Sequence, residues 1–270
     1  MECLGLSRVT IEDGKVIGVT DPVVRHCPLF AKHRGIEVLD RDTVRENIEY
    51  RINSFGMCSE NRETAMNDFL SFGISETLST GLSDGAIDAV VLAADGCGTA
   101  VVTDASLVQG LGGRISAIRE TEPIPKVVEA VGADNMLDPD TASIDMPAGV
   151  EKAFDMGFGR VAVTTASVDD AAAIRGRWDD RAVIALVHTT GISMEDAARA
   201  FEMCDLITAC ASKHLREVAH SRTDIVQAGS AVPVYGVTDI GKRLMLRRLE
   251  IAGRRPWDPS QKEDPPRPLL

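Results

Sequence analysis

Five short, branched apolar runs, separated by alanine-rich segments, constrain this chain more than any other feature. They are AVVLA (Ala89–Ala93), RVAVTT (Arg160–Thr165), RAVIALVHTT (Arg181–Thr190), DLITACA (Asp205–Ala211) and AVPVYGVT (Ala231–Thr238). The stretches between them, such as VEKAFDMG, SVDDAAAIRG, SMEDAARAFEMC and SKHLREVAHS, carry helical spacing. Strands apolar on both faces, alternating with helices, need cover on both sides and therefore pair in parallel. The expected fold is α/β: a largely parallel, Rossmann-like three-layer sheet. Pro233 inside the last run points to an edge strand, or to one whose pairing starts after it.

The first 80 residues read differently. Alternating runs flank Asp13-Gly14, which predicts a β-hairpin. Pro22 and Pro28 bracket VVRHCPLFAKHRG and argue against a regular element across it. A helix is expected over Arg41 to Phe55, capped by Asp40 or Asp42, and a second over Arg62 to Phe72. The division that follows is a small mixed module (1–80), a parallel-sheet domain (81–252) and a proline-rich tail (253–270), mobile or laid along the surface. In the middle, LVQGLGGRIS (Leu107–Ser116) reads as a glycine-rich loop and Ile124 to Ala130 as a short helix.

Composition excludes some partners. The net charge is −12 and there is no long basic run, so a nucleic-acid partner is not expected. No apolar run is long enough to span a bilayer, and the N-terminus lacks a secretory pattern, so no membrane and a cytoplasmic location are expected. The six cysteines (Cys3, Cys27, Cys58, Cys97, Cys204, Cys210) include no Cys-x-x-Cys pair. Free thiols, or thiols that converge in space, are the better reading. A homodimer is the commonest oligomer for such a chain.

Parallel sheets bind ligands beyond the carboxyl ends of their strands. That rule selects Asp95, Cys97 and His188 as catalytic candidates. Gly96 and Gly98 permit positive φ, and their N–H groups, with Thr99, could hold an anion. Cys97 is either a ligand or nucleophile, or a packed thiol in a tight turn. Gln109, Gly112, Gly113 and Arg114 form a second candidate anion contact, although the loop matches neither the phosphate-loop nor the dinucleotide pattern. Cys27, Cys58 and Cys97 could converge to hold zinc or an iron–sulfur cluster, with His26 and His33 nearby; the alternative is that Cys27 and Cys58 fill the core. S-adenosylmethionine is a third cofactor candidate, since its sites tolerate varied glycine loops.

The stretches SRVTIEDGKV, HCPLFAKHRGIE, TVRENIEYRINSFGMC, DFLSFGISETLSTGL, DGCGTAVVTD, LVQGLGGRISAI and NMLDPDTASID resemble the methanogenesis marker protein 8 family, a domain of unknown function from methanogenic archaea. The resemblance runs from Ser7 to Asp145, and the α/β pattern continues to about Ala252. It implies an anaerobic cytoplasm and a role in methane formation: C1 metabolism, cofactor assembly, or maturation of the methane-forming enzyme with protein partners there. It carries over no catalytic residues. Three functions compete: an enzyme transferring a group on an anionic small molecule or cofactor precursor, a non-catalytic metal or cluster maturation factor, and a small-ligand regulatory domain.

Overall fold

The structure, a computed structural model, describes residues 5–67, 72–113, 115–258 and 260–270, and the backbone of residues 2–3. The chain opens with a three-stranded antiparallel sheet, β1 (Glu2–Cys3), β2 (Ser7–Glu12) and β3 (Lys15–Val19), in that spatial order. The Asp13-Gly14 turn joins β2 to β3 with both residues at positive φ, as a two-residue hairpin requires. Helices α1 (Pro28–Arg34) and α2 (Arg41–Phe55) complete this module. Helix α1 takes only the second half of the stretch the prolines bracket, so no regular element runs across the whole of it. Pro28 occupies the first turn, where its missing N–H costs nothing and its fixed φ suits a helix. Asp40 caps α2 by accepting from the Thr43 N–H. Val44, Ile48, Phe55 and Met57 then meet Val9, Val16 and Leu39 in a small core.

The main body comprises α3 (Ile74–Ser83), β4 (Ala89–Ala94), β5 (Gly98–Val102), α4 (Ala105–Gly112), α5 (Pro125–Val131), α6 (Met146–Asp155), β6 (Val161–Thr165), α7 (Val168–Trp178), β7 (Ala182–Leu186), α8 (Met194–Met203), β8 (Leu206–Thr208), α9 (Lys213–His220), β9 (Val226–Ala228), β10 (Val234–Gly236) and α10 (Asp239–Ile251). Its seven strands lie in the order β5-β4-β6-β7-β8-β10-β9. Strands β4, β6, β7 and β8 are parallel; β5, β10 and β9 pair antiparallel at the two sides. The expected α/β class is therefore what the chain adopts.

The sheet sits between two helical layers. Val91, Val163, Ile184 and Ile207 face α6, α7, α8 and α9. Their neighbours Val90, Ala162, Val183 and Leu206 face α3, α4, α5 and α10. Strand side chains alternate between faces, so both faces must be apolar. The four parallel strands follow one another across the sheet without reversal. Their crossovers consequently lie on one face, and the other is covered by helices that come before and after them in the chain.

Three local expectations change. Residues 107–112 are the body of α4, because Asp104 caps it through the Ser106 and Leu107 N–H groups. Gly110 lets the backbone of Thr64 cross that helix at a distance no side chain would allow. No helix covers Arg62 to Asn67; residues 68–71 of that expected helix lie outside the described residues. The segment instead uses its backbone in tertiary bonds, Glu63 N–H to Phe55 O and Met66 N–H to Ser106 O. Finally, Pro233 precedes β10, whose pairing starts at Val234 and which lies inside the sheet's edge strand β9.

The proline-rich segment lies along the surface as a strap. Trp257 N–H bonds Gln227 O, Arg267 pairs with His26, and Leu270 pairs with Ala211 and Lys213. Glu263 meets the buried Arg216 at 3.0 Å. The strap thereby joins the N-terminal module to the carboxyl edge of the sheet. Among the described residues, no helix is long and apolar enough to cross a membrane.

Candidate functional site

The carboxyl ends of the parallel strands open into a cleft of two chambers. The larger, about 420 Å³, is bounded by Thr164 and Thr165 at the end of β6 with Ser167 just beyond, His188 after β7, Thr208 and Cys210 at the end of β8, and Arg119 from the α4–α5 connection. The smaller, about 240 Å³, lies under the N-terminal module and is lined by Leu6, Val24, Cys27, Phe30, Leu39 and Val232. Ile115, Ser116, Ala117, His188 and Cys210 belong to both walls. The two chambers are thus compartments of one cleft, both mostly apolar in lining, with the strand-end hydroxyls, Arg119 and Asp170 in the larger.

Two threonines shape the seam. Thr189 Oγ1 donates to Thr208 O at 2.6 Å and accepts from the Cys210 N–H, while Thr190 Oγ1 accepts from the Ala211 N–H. These bonds bolt the turn after β7 to the end of β8. His188 precedes them at φ +56, a left-handed conformation that costs a β-carbon-bearing residue about 1–2 kcal/mol. The strained turn leaves His188 exposed where the chambers meet. From the module, Arg51 on α2 donates to Ser116 Oγ at 3.0 Å, tying the dividing segment to the module.

Asp170 supplies the acid. It sits in the first turn of α7, whose cap is Ser167, and its carboxyl lies within 3.4 Å of Thr165 Oγ1. Burial raises its pKa, and the Asp145 and Asp169 carboxylates add to the rise. Asp170 therefore holds a proton more readily than an ordinary aspartate.

The hairpin turn Asp95–Cys97 between β4 and β5 stands apart from this cleft. Asp95 is 0% exposed and forms an ion pair with Arg62, also 0% exposed, at 2.9 Å. It also accepts the Cys58 N–H at 2.7 Å. Arg62 donates further to Gly110 O at 2.9 Å and to Glu63 O, and its guanidinium lies over the Phe55 ring. With both its oxygens engaged by a buried cation, Asp95 is placed to lock the module onto the sheet, which is not the setting of a general base.

Cys97 is 0% exposed, and burial together with the Asp95 charge pushes its thiol up to about 12. A nucleophile needs the reverse shift. The Gly96 N–H is taken by Thr121 Oγ1, and a β-carbon at Gly98 would stand 2.0 Å from Ala142 O. The glycines thus admit two crossing loops and do not present a free anion cradle. Thr99 Oγ1 accepts the Asp145 N–H, which holds the loop before α6. Gln109 is buried in α4, Gly113 ends that helix, and Gly112 alone of the three lines the larger chamber. Arg114 lies outside the described residues.

The three cysteines expected to converge are split. Cys58 and Cys97 flank the Asp95–Arg62 pair, and Cys58 too is pushed up to about 12 by burial and by Asp95. Cys27 is in the smaller chamber with Cys210. Among the described residues, no group of three His, Cys, Asp or Glu side chains is placed to hold a metal ion. The donor set therefore does not fit zinc or a cluster. Of the residues picked out by sequence reasoning, His188 and the strand-end hydroxyls line this cleft. That reasoning passed over Arg51, Ser116, Arg119 and Asp170; only Asp170, one helical turn after a strand end, carried a usable positional signal.

An α/β protein with a two-chambered, strand-end cleft is the class these features define. The chain belongs to the archaeal family described as uncharacterized protein conserved in archaea (DUF2099), whose model matches residues 1–250. It is 41% identical over 256 residues to the uncharacterized protein MJ0054 of Methanocaldococcus jannaschii, covering 93% of this chain and 90% of that relative. No solved structure matches it.

Proposed function

We propose that this chain is an enzyme that binds an anionic small molecule in the two-chambered cleft and transfers a group on it, with His188 as proton carrier. The observation that carries this reading is His188 itself, held on left-handed backbone at a strand end and bordering both chambers. Strained residues persist where the surrounding structure enforces them, and they concentrate at working sites. An imidazole is also the side chain best suited to proton transfer near neutral pH. Arg119 on the larger chamber supplies the anion contact, and Asp170 on the same chamber offers a hydrogen-bond donor when protonated. The apolar walls of the smaller chamber favour a substrate with an apolar arm beside its anionic group. Following the resemblance, the substrate belongs to the cofactor chemistry of methane formation.

The test is calorimetric titration with inorganic phosphate and a panel of phosphate- and carboxylate-bearing small molecules, followed by turnover assays on any binder. A charge-assisted hydrogen bond contributes about 1.5–3 kcal/mol. Arg119→Ala should therefore weaken binding by about 10- to 100-fold. His188→Gln should leave affinity within about threefold while abolishing turnover. Equal affinity in native protein and Arg119→Ala, or full turnover by His188→Gln, would remove the reading.

A further inference from the structure

Two cysteines outside the chemistry above line the same chamber. Cys27 belongs to the N-terminal module and is buried; Cys210 belongs to the sheet and is half-buried at the end of β8. Both line the smaller chamber. The strap also runs past both of them. Arg267 pairs with His26, beside Cys27, and Leu270 pairs with Ala211, beside Cys210. Arg267 and Leu270 are three residues apart, so one short segment of the strap touches the chain beside both cysteines. The Cys27 thiol is also close enough for its charge to raise the pKa of Cys210. Other thiols are placed differently: Cys97 and Cys204 are fully buried, and Cys58 flanks the ion pair.

We propose that Cys27 and Cys210 form a reversible disulfide across the smaller chamber, made by exchange with a small-molecule disulfide that enters it. Cys210 reacts first, because it is the more exposed and borders both chambers. It gives up its proton, and its sulfur attacks one sulfur of the entering disulfide. That S–S bond breaks, and one thiolate leaves and takes up a proton. Cys27 then loses its proton and attacks the Cys210 sulfur of the mixed disulfide, releasing the second small thiol. The protein loses two electrons and two protons, and the entering disulfide is reduced to two thiols. A disulfide holds its Cα atoms within about 4.4–6.8 Å, so the oxidised form clamps α1 to the end of β8 and closes the chamber to other ligands. Burial pushes both thiols above their ordinary pKa, against the pull of the Thr189 and His188 polar groups at Cys210. Exchange therefore accelerates as pH rises.

The experiment uses the full chain, reduced and held without oxygen, with glutathione disulfide as the probe. After alkylation, peptides are mapped by mass spectrometry. The expected result is loss of two of the six alkylatable thiols and one linked peptide joining Cys27 to Cys210. Cys27→Ser should trap a glutathione adduct on Cys210, and Cys58→Ser should change nothing. The proposal is overturned if the linked peptide joins any other pair. It is equally overturned if both cysteines of the native chain stay alkylatable or carry separate adducts. Mapping the native chain needs no variant to fold, and it reads no ligand affinity, so it is independent of the binding test above.

Discussion

Replacing Asp95 by Asn asks whether the acid in the β4–β5 turn is structural. The substitution keeps the shape and removes the charge. Arg62, fully buried, would then keep its own charge with neutral acceptors in place of the carboxylate, among them Gly110 O and Glu63 O. The Cys58 N–H would exchange a carboxylate partner for an amide. Removing one partner of a buried pair typically costs about 3–5 kcal/mol. For a chain of this size each kcal/mol lowers Tm by about 2–4 °C, so Asp95→Asn should melt roughly 6–20 °C below the native chain. Thermal and urea unfolding, followed by far-ultraviolet circular dichroism at one protein concentration, measures this directly. The double variant Asp95→Leu/Arg62→Met removes both charges and should lose less than the sum of the two single changes, by about 2 kcal/mol. The reasoning fails if Asp95→Asn unfolds within about 1 kcal/mol of the native chain while abolishing turnover, since that outcome describes a catalytic acid.

Two further perturbations follow from local geometry. Asp104 caps α4, and its pKa is lowered by the Ser106 hydroxyl and the Leu107 N–H. Asp104→Ala should cost about 1 kcal/mol at pH 7. A lowered folded pKa gives stability that is present above the unfolded value, about 3.9, and lost as pH falls through the folded one. The gap between the two proteins should therefore narrow below about pH 4; a constant gap down to pH 3 would contradict this. Gly98 and Gly35 both sit at positive φ, yet a β-carbon would strike Ala142 O at the first and open space at the second. Gly35→Ala should cost about 1 kcal/mol and Gly98→Ala about 2–5 kcal/mol; equal losses in urea unfolding would refute the close-approach account.

Much of the architecture was legible because it is written in local periodicity. The runs at Ala89, Arg160, Arg181 and Asp205 became the parallel strands, and their two-faced apolar character required helices on both sides. Asp13-Gly14 and Asp40 marked a turn and a helix start through their own backbone preferences. The strand-end rule also pointed to the sheet edge where the cleft opens, since it needs only the direction of the strands. The glycine-rich stretch after Asp104 misled, because a helix whose glycines admit a crossing chain reads as a loop until the crossing chain is known.

What the tertiary structure alone decided is which polar residues meet. Nothing near Arg62 in the chain points to Asp95, 33 residues on, yet their mutual burial makes Asp95 a lock and turns Cys97 into a packed thiol. Nothing near Cys27 points to Cys210, and a chemically plausible triad of Cys27, Cys58 and Cys97 is divided between a salt-bridged turn and a chamber. Strands and helices follow from patterns a few residues long. Clefts and ion pairs follow from desolvation and from contacts between distant segments, and those exist only once the module, the sheet edge and the C-terminal strap have closed on one another.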